Sequence, residues 1–448
     1  MTRAARRRGW GAAVLALGVP LVLARLLGLG QAAGGEVCAP PDYETFLPPE
    51  VGGRFADPIF GTVIRRVSDA TKTLDAGRGR GQVGFVANEY STMSPFSSDL
   101  SRLLLLHESY FALYDGEGAF LRNLPFDVGP ASEPRWSRAK PSVFFYLNGN
   151  ELRQFDVSTW TASTVHTFAE YRAVRGHGES DLCFDGNHLV LAGDSRYVFV
   201  YDLSTGRKGT VFDAGGRSFD SLYITPDDNV TITWNEAGTS RYQGIELFDR
   251  NMDFLRQVTR AGGHMDVTRD VDGREVLVWA NAGDPSPICK NGVVKVRLAD
   301  GQQTCLLSLD WSLALHVSAP DRGGFALVST HADGDPRPDR GWKPYTNEIL
   351  ALSLDGAHVW RLAHHRSRPF NDYWWQPRAS VSHDGTRLVY TSNHGLQAIL
   401  GHPRDYADTY LITQLQTFFA SDGAAAPGRL SGGLVTSSPE PPGAGPRR

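Results

Sequence analysis

Residues 376–395 read QPRASVSHDGTRLVYTSNHG and contain one complete strand–turn–strand signal. The segment begins polar, turns apolar with an alternating pattern, and breaks at HDGT, residues 383–386. It resumes as RLVYTS at 387–392 and breaks again at NHG, residues 393–395. Successive side chains of a strand point to opposite faces, and an Asp-Gly pair favours a tight hairpin turn. This stretch therefore predicts two antiparallel strands joined by a short turn.

Weaker copies of the same pattern recur upstream, with openings spaced 41 to 60 residues apart. Each copy has a polar opening, an apolar strand, a Gly/Asp turn, a second strand, a variable loop and a third strand. The openings are Tyr90-Ser91, Pro134-Arg135, Ser180-Asp181, Ser221-Leu222, Met265-Asp266, Val317-Ser318 and Pro377-Arg378. The second strands are expected at 103–106, 143–146, 189–192, 230–234, 276–279, 325–329 and 388–391. Seven such units predict an all-β, seven-bladed β-propeller, with a two-sheet sandwich as the alternative.

The last unit lacks a fourth strand, and the N-terminal region supplies a candidate for it. After residues 408–414 no further strand precedes the low-complexity tail at 424–448. Residues 60–68, FGTVIRRVS, resemble the fourth strands expected at 120–124 and 359–362. A linear array would leave one sheet edge unpaired, so we expect an N-terminal strand to close the ring.

The composition excludes one class of partner. The chain has 448 residues, is 41% hydrophobic and 21% charged, and carries a formal net charge of -4. Because there is no basic excess to neutralise phosphates, we expect no nucleic-acid partner. The 48 glycines and 26 prolines, together with little helical periodicity, favour a mostly β globular protein.

Four segments are expected along the chain. Residues 1–33 combine several arginines with the apolar run at 10–24, which predicts a signal peptide, or an N-terminal anchor if it is not cleaved. Residues 34–56 form an N-terminal extension, 57–414 the propeller, and 415–448 a disordered tail rich in Gly, Pro and Ala. We therefore expect a secreted or periplasmic protein with no membrane contact beyond such an anchor.

The four cysteines bear on the compartment in which the protein is expected. An oxidising compartment permits a disulfide, and Cys289 and Cys305 are the nearest pair. A hairpin turning at Asp300-Gly301 would set Cys305 opposite residue 296, so this register argues against the pairing. No CxxC spacing is present, and a structural zinc site is therefore not expected.

The long, polar connections are expected on one face of the propeller, where repeat folds usually carry their function. The innermost strands begin on that face, whereas the short Asp-Gly turns lie on the other. Alignment on these turns assigns to the strand starts Glu133, Arg135, His177, Glu179, Asp220, His264, Asp266, His316, Gln376 and Arg378. Six of the seven units contribute, so we expect these groups to converge on the axis in one polar funnel.

Each candidate also has an ordinary structural interpretation. The axis of a propeller is wet, and polar residues there often bond to the backbone or to ordered water. Aspartates in Asp-Gly turns are typical of the turn itself. The aromatic run Tyr373-Trp374-Trp375 fits packing between units as well as a platform for stacking sugars. Convergence on one axis is what favours a functional site.

An Arg, several His, a Tyr and a few carboxylates suit an acidic polysaccharide or oligosaccharide as the partner. In β-elimination of a uronate, the sugar carboxylate is neutralised so that the C5 proton becomes acidic. A neutral His or Tyr then removes this proton, and an acid protonates the departing glycosidic oxygen. The planar guanidinium of Arg is matched to a carboxylate. These residues favour a lyase.

The blocks GHMD at 263–266, RLAHH at 361–365 and QPRASVSHDG at 376–385 are similar to seven-bladed polysaccharide lyases of the oligogalacturonate lyase and ulvan lyase types. The resemblance runs loosely across 60–414. Oligogalacturonate lyases hold a divalent metal with several His and one Gln on the axis and use a separate His as base. The resemblance thus implies His264 as the base, and His316 with Gln376 as ligands of a divalent ion such as Mn or Ca.

One position departs from that family. Arg378 stands where a metal-binding His is expected, and an Arg cannot ligate a cation. Either the metal is lost, or Arg378 neutralises the substrate carboxylate directly, as in the ulvan lyase arrangement, where Tyr242 or His177 would partner His264. The remaining substrate contacts are expected from Arg135, Glu179, Asp266, Arg241, Trp374 and Trp375.

Two other functional classes stay open. The Asp-Gly-rich strands also resemble exported WD40-like and TolB-like propellers, and a module of that kind would bind a protein or a glycan on the loop-rich face without catalysis. A hydrolase using paired carboxylates such as Glu179 and Asp266 is a further alternative, but nothing in the sequence fixes their separation. Loss of turnover on replacing His264 would separate a lyase from a binding module.

Overall fold

The computed structural model describes residues 35–79, 81–235, 240–281, 289, 291–321, 324–332, 334–336, 341–368, 373–416 and 419. The expected signal peptide at 1–33 and most of the expected tail at 415–448 lie outside these residues. None of the helices in the described part of the chain has the length and apolarity that crossing a lipid bilayer requires.

Seven antiparallel sheets follow one another along the chain as the blades of a propeller. Two strands precede the first blade, β1 (Arg54–Ala56) and β2 (Val63–Arg66). Blade 1 contains β3 (Val86–Ala87), β4 (Arg102–His107), β5 (Tyr110–Asp115) and β6 (Phe120–Asn123). Blade 2 contains β7 (Arg135–Trp136), β8 (Val143–Asn148), β9 (Glu151–Asp156) and β10 (Thr161–Thr167). Blade 3 contains β11 (Val174–Arg175), β12 (His188–Gly193), β13 (Tyr197–Asp202), β14 (Arg207–Lys208) and β15 (Phe212–Asp213).

The second half of the ring repeats this plan. Blade 4 contains β16 (Phe219–Ile224), β17 (Val230–Trp234), β18 (Gly244–Phe248) and β19 (Phe254–Thr259). Blade 5 contains β20 (Met265–Arg269), β21 (Glu275–Asn281), β22 (Gly292–Arg297) and β23 (Gln303–Ser308). Blade 6 contains β24 (Leu313–Ser318), β25 (Phe325–Ala332), β26 (Glu348–Ser353) and β27 (Val359–His364). Blade 7 contains β28 (Ser380–Val381), β29 (Leu388–Ser392) and β30 (Asp408–Ile412), together with β2 and β1.

The connections contain α1 (Leu396–Leu400) and the 3-10 turns Ala70–Lys72, Pro130–Ser132 and Tyr373–Trp375. Gln416 and Phe419, after the last strand, are also helical. Strands account for 43% of the residues, which confirms the expected all-β, seven-bladed propeller. The second strands expected from the sequence correspond to β4, β8, β12, β17, β21, β25 and β29.

The ring is closed by the N-terminal strand, as the sequence predicts. β2 pairs with β30, so that Arg65 lies opposite Leu411 and Arg66 opposite Tyr410. β1, from the N-terminal extension, adds a fifth strand beyond β2. A charged contact supports this junction, because the Arg66 guanidinium lies 2.8 Å from the Asp408 carboxylate of β30. The edge that a linear array would expose is therefore paired.

The core lies between neighbouring blades rather than in one central cluster. Inner and middle strands are buried along their length, as in β12 and β18, whereas the outer strands β6 and β10 are largely exposed. One cluster, for example, joins apolar side chains of blade 1 to those of blade 7. This packing holds the inner strands in a fixed ring around the axis, where the candidate residues lie.

Cys289 and Cys305 form a disulfide, with Cα atoms 5.4 Å apart. The register argument against this pair was wrong on two counts. The turn after β22 is longer than a two-residue hairpin, so Cys305 lies opposite Val294 rather than residue 296. In addition, Cys289 precedes β22 and reaches Cys305 from outside the strand pair, so strand register does not govern the bond.

Candidate functional site

His264 stands at the mouth of the axis, immediately before β20. Its carbonyl oxygen accepts a hydrogen bond from the Ala280 backbone N–H, at 2.8 Å. The preceding Gly263 has φ +145°, and a Cβ placed there would lie 2.7 Å from the Ala280 carbonyl oxygen. Only glycine fits this close approach without strain. The backbone therefore fixes where the imidazole projects.

The partner of His264 is Tyr90, which follows β3 in blade 1. The Tyr90 hydroxyl lies 3.0 Å from His264 Nδ1, across the axis from blade 5 to blade 1. Burial lowers the pKa of His264, partly opposed by the Asp220 carboxylate. The residue nevertheless keeps contact with solvent. His264 is thus a neutral, accessible imidazole with one ring nitrogen engaged by a phenol.

Two further histidines extend from His264 into blade 6. The ring of His316 lies 4.3 Å from that of His264 and 5.7 Å from that of His331, measured between centroids. His316 is buried, and neither of its ring nitrogens has a hydrogen-bond partner among the described residues. Burial, then the neighbouring His264, His331 and Arg378, lower the pKa of His316 well below its ordinary value. Burial also lowers the pKa of His331, to about 4.

Arg378 lies beneath an aromatic cover in blade 7. Its guanidinium carbon is 4.1 Å from the ring centroid of Tyr373 and 4.8 Å from that of Trp374. Nη1 donates to the Glu89 carbonyl oxygen at 2.8 Å, whereas Nε and Nη2 have no partner in the part of the chain that the structure describes. The side chain is 0% exposed, while Tyr373 is 43% exposed. A cation with unused donors is therefore covered by one exposed ring.

Two carboxylates near the axis titrate close to neutrality. Burial raises the pKa of Glu179 to about 7, and its Oε2 accepts a hydrogen bond from the Tyr223 hydroxyl at 2.5 Å. Burial likewise raises the pKa of Glu89 to about 7, although the Arg135 guanidinium 3.0 Å away opposes the shift. Both groups can therefore hold or release a proton near neutral pH.

Three other candidate residues lie around these axial side chains and make different contacts. Arg135 is buried and donates to the Ser180 and Pro134 carbonyl oxygens and to Glu89, so its donors tie neighbouring blades together. The ring of His177 packs 4.5 Å from that of Phe219 at the rim. Gln376 is half-buried beside the cover.

Asp266 lies lower on the axis than His264. Its carboxylate accepts backbone N–H groups of Val267 and Ala319, at 2.8 and 2.7 Å. It lines a separate cavity toward the short-turn face. That cavity also contains Arg138, Asp181, Asp321 and His383, which pair with one another through contacts of 2.6 to 3.9 Å. Asp266 is therefore not brought together with the histidines of the funnel.

The remaining candidates have contacts outside the funnel, although Trp374 also covers Arg378 within it. Tyr242 packs against Trp234 and Arg217, while Arg241 pairs with the buried Glu246 at 2.9 Å, all within blade 4. Trp374 stacks on Phe85 at 4.0 Å. Trp375 is buried in the core between blades 1 and 2.

Sequence reasoning did not assign Tyr90, Glu89 or Tyr223 to the site. A signal was present for Glu89: the repeat alignment that selects Glu133 in blade 2 places Glu89 at the same position in blade 1. Tyr90 is the next residue. Tyr223, by contrast, lies near the end of β16, and its pattern in the sequence is that of an ordinary core residue.

A group able to hold a metal ion lies elsewhere, on the short-turn face. Cys183, Asp185, His188 and Asp228 place their ligand atoms within 4.8 Å of one another. The divalent metal expected from the sequence thus has a group of suitable donors in this chain, although these are not the axial residues His316 and Gln376.

No protein-family model and no curated protein sequence matches the chain. Solved structures that are similar to it include two oligogalacturonate lyases. An oligogalacturonate lyase from Vibrio parahaemolyticus has a TM-score of 0.57 and 13% identity, covering 82% of this chain and 97% of that one. An oligogalacturonate lyase in complex with manganese has a TM-score of 0.55 and 16% identity, over the same shares. The likeness is one of fold. It confirms the resemblance to seven-bladed propeller lyases.

Proposed function

We propose that this protein is an exported lyase that cleaves a uronate-containing oligosaccharide or polysaccharide by β-elimination. The observation that carries the proposal is the 3.0 Å contact between Tyr90 and His264 at an accessible axial mouth, beside the buried Arg378. The oligogalacturonate lyase fold of the two similar structures supports it.

His264 is the proposed base. The lowered pKa of His264 keeps the imidazole neutral at pH 7, as proton abstraction requires. When Nδ1–H donates to the Tyr90 oxygen, the lone pair of Nε2 is free to take the C5 proton. Tyr90 thus orients the ring and selects its tautomer, and it replaces Tyr242 and His177 as the partner of His264.

Arg378 is the proposed partner of the sugar carboxylate. Its Nε and Nη2 donors are unused within the described residues, and a planar fork of two donors suits a carboxylate. Because Tyr373 and Trp374 cover the guanidinium, binding requires Tyr373 to move aside. A carboxylate then exchanges a cation–π contact for two charge-assisted hydrogen bonds, which are the stronger interaction.

Glu179 is the proposed acid. With a pKa of about 7 it keeps its proton on about half of the molecules at neutral pH. It lies near Tyr90, because its carbonyl oxygen accepts a hydrogen bond from Thr92 Oγ1 at 2.7 Å, and its charge raises the pKa of Tyr90 after the larger effect of burial. From there its proton would pass to the departing glycosidic oxygen, while the C5 proton is held on His264.

A divalent ion bound by His316 and Gln376 does not fit the residues present. The ring nitrogens of His316 have no partner among the described residues, but Arg378 places a permanent positive charge close enough to add to the lowering of the pKa of His316 by burial. A second cation at that position would be repelled. In the proposed reaction the guanidinium therefore neutralises the carboxylate, which corresponds to the ulvan lyase alternative.

Export is part of the proposal. The Cys289–Cys305 disulfide supports it, because disulfides persist in oxidising compartments and are rare in the cytosol. A secreted or periplasmic location would also bring the protein to extracellular uronate polymers.

The test is a product assay on a panel of uronate polymers, in which β-elimination generates an unsaturated sugar that absorbs in the ultraviolet. We expect product from at least one polymer, unchanged by chelator, and a loss of at least a thousandfold in His264→Ala. The matched control is His358→Ala, since His358 lies away from the axis, stacked on Trp360. Product dependent on added metal would overturn the assignment of Arg378.

A second set of variants separates the roles. Tyr90→Phe should lower kcat by ten- to a hundredfold, and Arg378→Lys should mainly raise KM, because a point charge replaces the fork. If the wild-type protein releases no unsaturated product from any polymer, the lyase proposal is wrong and the non-catalytic propeller takes its place.

A further inference from the structure

A cluster of metal-ligand types joins blade 3 to blade 4 on the face opposite the funnel. Cys183 and Asp185 belong to the turn that leads into β12, His188 is the first residue of β12, and Asp228 belongs to the turn between β16 and β17. Their ligand atoms all lie within 4.8 Å of one another. Cys183 and His188 are buried, while both aspartates keep contact with solvent, which leaves an entry path for an ion.

The distances within the cluster suit a tetrahedral ion. Cys183 Sγ lies 2.7 Å from Asp185 Oδ1 and 3.8 Å from His188 Nδ1, and His188 Nδ1 lies 3.1 Å from Asp228 Oδ1. With bonds of about 2.0 Å to nitrogen and oxygen and about 2.3 Å to the single sulfur, tetrahedral ligands are separated by roughly 3.3 to 3.5 Å. Only small shifts would complete the coordination shell.

The donor set selects the ion. Calcium and magnesium prefer all-oxygen ligands, whereas one thiolate, one imidazole and two carboxylates suit Zn²⁺. A divalent cation would also relieve the repulsion between the Asp185 and Asp228 carboxylates, which share this small space.

The surroundings of the cluster orient its ligands. Nδ1 of His188 faces the other donors, and Nε2 lies 3.9 Å from the Asp202 carboxylate. Carboxylates placed behind a ligating histidine are a recurring feature of zinc sites. The His188 backbone N–H donates to Cys183 Sγ at 3.1 Å. This bond would stabilise a thiolate once its proton is released to solvent on metal binding.

Equivalent turns of other blades provide an internal comparison. In blade 1, Ser97 bonds to Asp99 and accepts the Arg102 N–H. In blade 7, Ser382 bonds to Asp384 and accepts the Arg387 N–H. Blade 3 keeps both contacts but has Cys183 in place of the serine and His188 in place of the arginine. Turn structure explains the hydrogen bonds, but it does not explain why the thiol of Cys183 and the imidazole of His188 occur together beside Asp228.

We propose that Cys183, Asp185, His188 and Asp228 form a Zn²⁺ site that clamps blade 3 to blade 4. The sequence has no CxxC spacing, and a structural zinc site was therefore not expected from it. A search for that motif misses this site, because the site contains one cysteine and takes its fourth ligand, Asp228, from the next repeat. The site is independent of the proposed catalysis.

The test uses the full-length protein, stripped of metal by a chelator and titrated with Zn²⁺ or Co²⁺. We expect one ion per chain, a thiolate-to-cobalt charge-transfer band, and a higher thermal midpoint with zinc. Cys183→Ser recreates the turn of blades 1 and 7, so it should fold, lose the band and bind Zn²⁺ at least tenfold more weakly. Cys38→Ser removes the other free, buried thiol and should change none of these.

Two further variants locate the ion. Asp228→Asn alters only the blade 4 ligand and should abolish the zinc-dependent rise in the midpoint while leaving the metal-free midpoint in place. His316→Ala should bind zinc as the wild type does. The proposal is wrong if the wild type binds no ion, if Cys183→Ser keeps the band or the affinity, or if His316→Ala loses binding.

Discussion

The closure of the ring can be tested at Asp408. This carboxylate is fully buried and accepts hydrogen bonds from Arg66 Nη2, Ser68 Oγ and the Ala70 N–H, at 2.8, 3.1 and 2.8 Å. Arg66 belongs to the N-terminal strand and Asp408 to the C-terminal one, so the pair joins the two ends of the propeller. Asp408→Ala removes the anion and leaves the guanidinium buried.

Breaking a buried ion pair from one side costs about 3–5 kcal/mol. Arg66 would keep contacts with the Ser68 carbonyl oxygen at 2.9 Å and with the Asp69 carboxylate at 3.2 Å. We therefore expect the lower end of that range, about 3 kcal/mol. Replacing both partners, as in Arg66→Met with Asp408→Leu, should cost less than Asp408→Ala alone, because neither the guanidinium nor the Asp408 carboxylate is left buried without its partner, and Asp69 keeps its pair with Lys72 at 3.3 Å.

The measurement is urea unfolding followed by tryptophan fluorescence, with the free energy of unfolding obtained by linear extrapolation. The matched control is Arg196→Ala, which removes a surface pair with Asp213 whose side chains are 46% and 47% exposed. Exposed pairs contribute little, so no measurable change is expected. An Asp408→Ala midpoint as high as that of Arg196→Ala would refute the claim that this pair holds the ring closed.

Three further predictions concern the site and its support. As the pH is raised, kcat/KM should first increase, with a pKa below the ordinary histidine value, because His264 loses its proton. It should then decrease above about pH 7, because Glu179, with a pKa of about 7, loses its own proton. A value of kcat/KM that keeps rising above neutrality would contradict this assignment. Gly263→Ala should remain folded by circular dichroism but lose most activity, because the added Cβ would lie 2.7 Å from a carbonyl oxygen; full activity would show that the backbone there is free to adjust. Cys305→Ser should lower stability by about 3 kcal/mol, the value for a loop of this length, and reductant should lower the wild-type thermal midpoint; an unchanged midpoint would count against a stabilising bond with Cys289.

The buried Arg378 connects two parts of the proposed mechanism, namely the binding of the sugar carboxylate and the absence of an axial metal ion. Two of its guanidinium nitrogens have no partner in the described part of the chain, and the half-exposed ring of Tyr373 covers them, so we propose that a ligand of matching charge opens this cover. The same positive charge adds to burial, the larger effect, in lowering the pKa of His316, and in our proposal it disfavours a metal ion on the axis. In the proposed mechanism, recognition of the sugar carboxylate and independence from an axial metal ion would both follow from Arg378.

The local sequence pattern was sufficient to predict the architecture of the protein. Alternating strands and Asp-Gly turns specify each four-stranded unit, since side-chain alternation and turn geometry act between residues close in sequence. Counting the units gave the number of blades, and the missing last strand, matched to residues 60–68, gave the closure. The same alignment also placed His264, His316 and Arg378 near one axis.

The partners of these residues could not be obtained in this way. Tyr90 and His264 are separated by 174 positions, and their hydrogen bond depends on how two blades face each other across the ring. Asp266 follows His264 by two residues yet binds backbone groups lower on the axis. The zinc ligands proposed in blade 3 need an aspartate from blade 4. Contacts between blades arise from packing and ring closure, which no short stretch of sequence encodes.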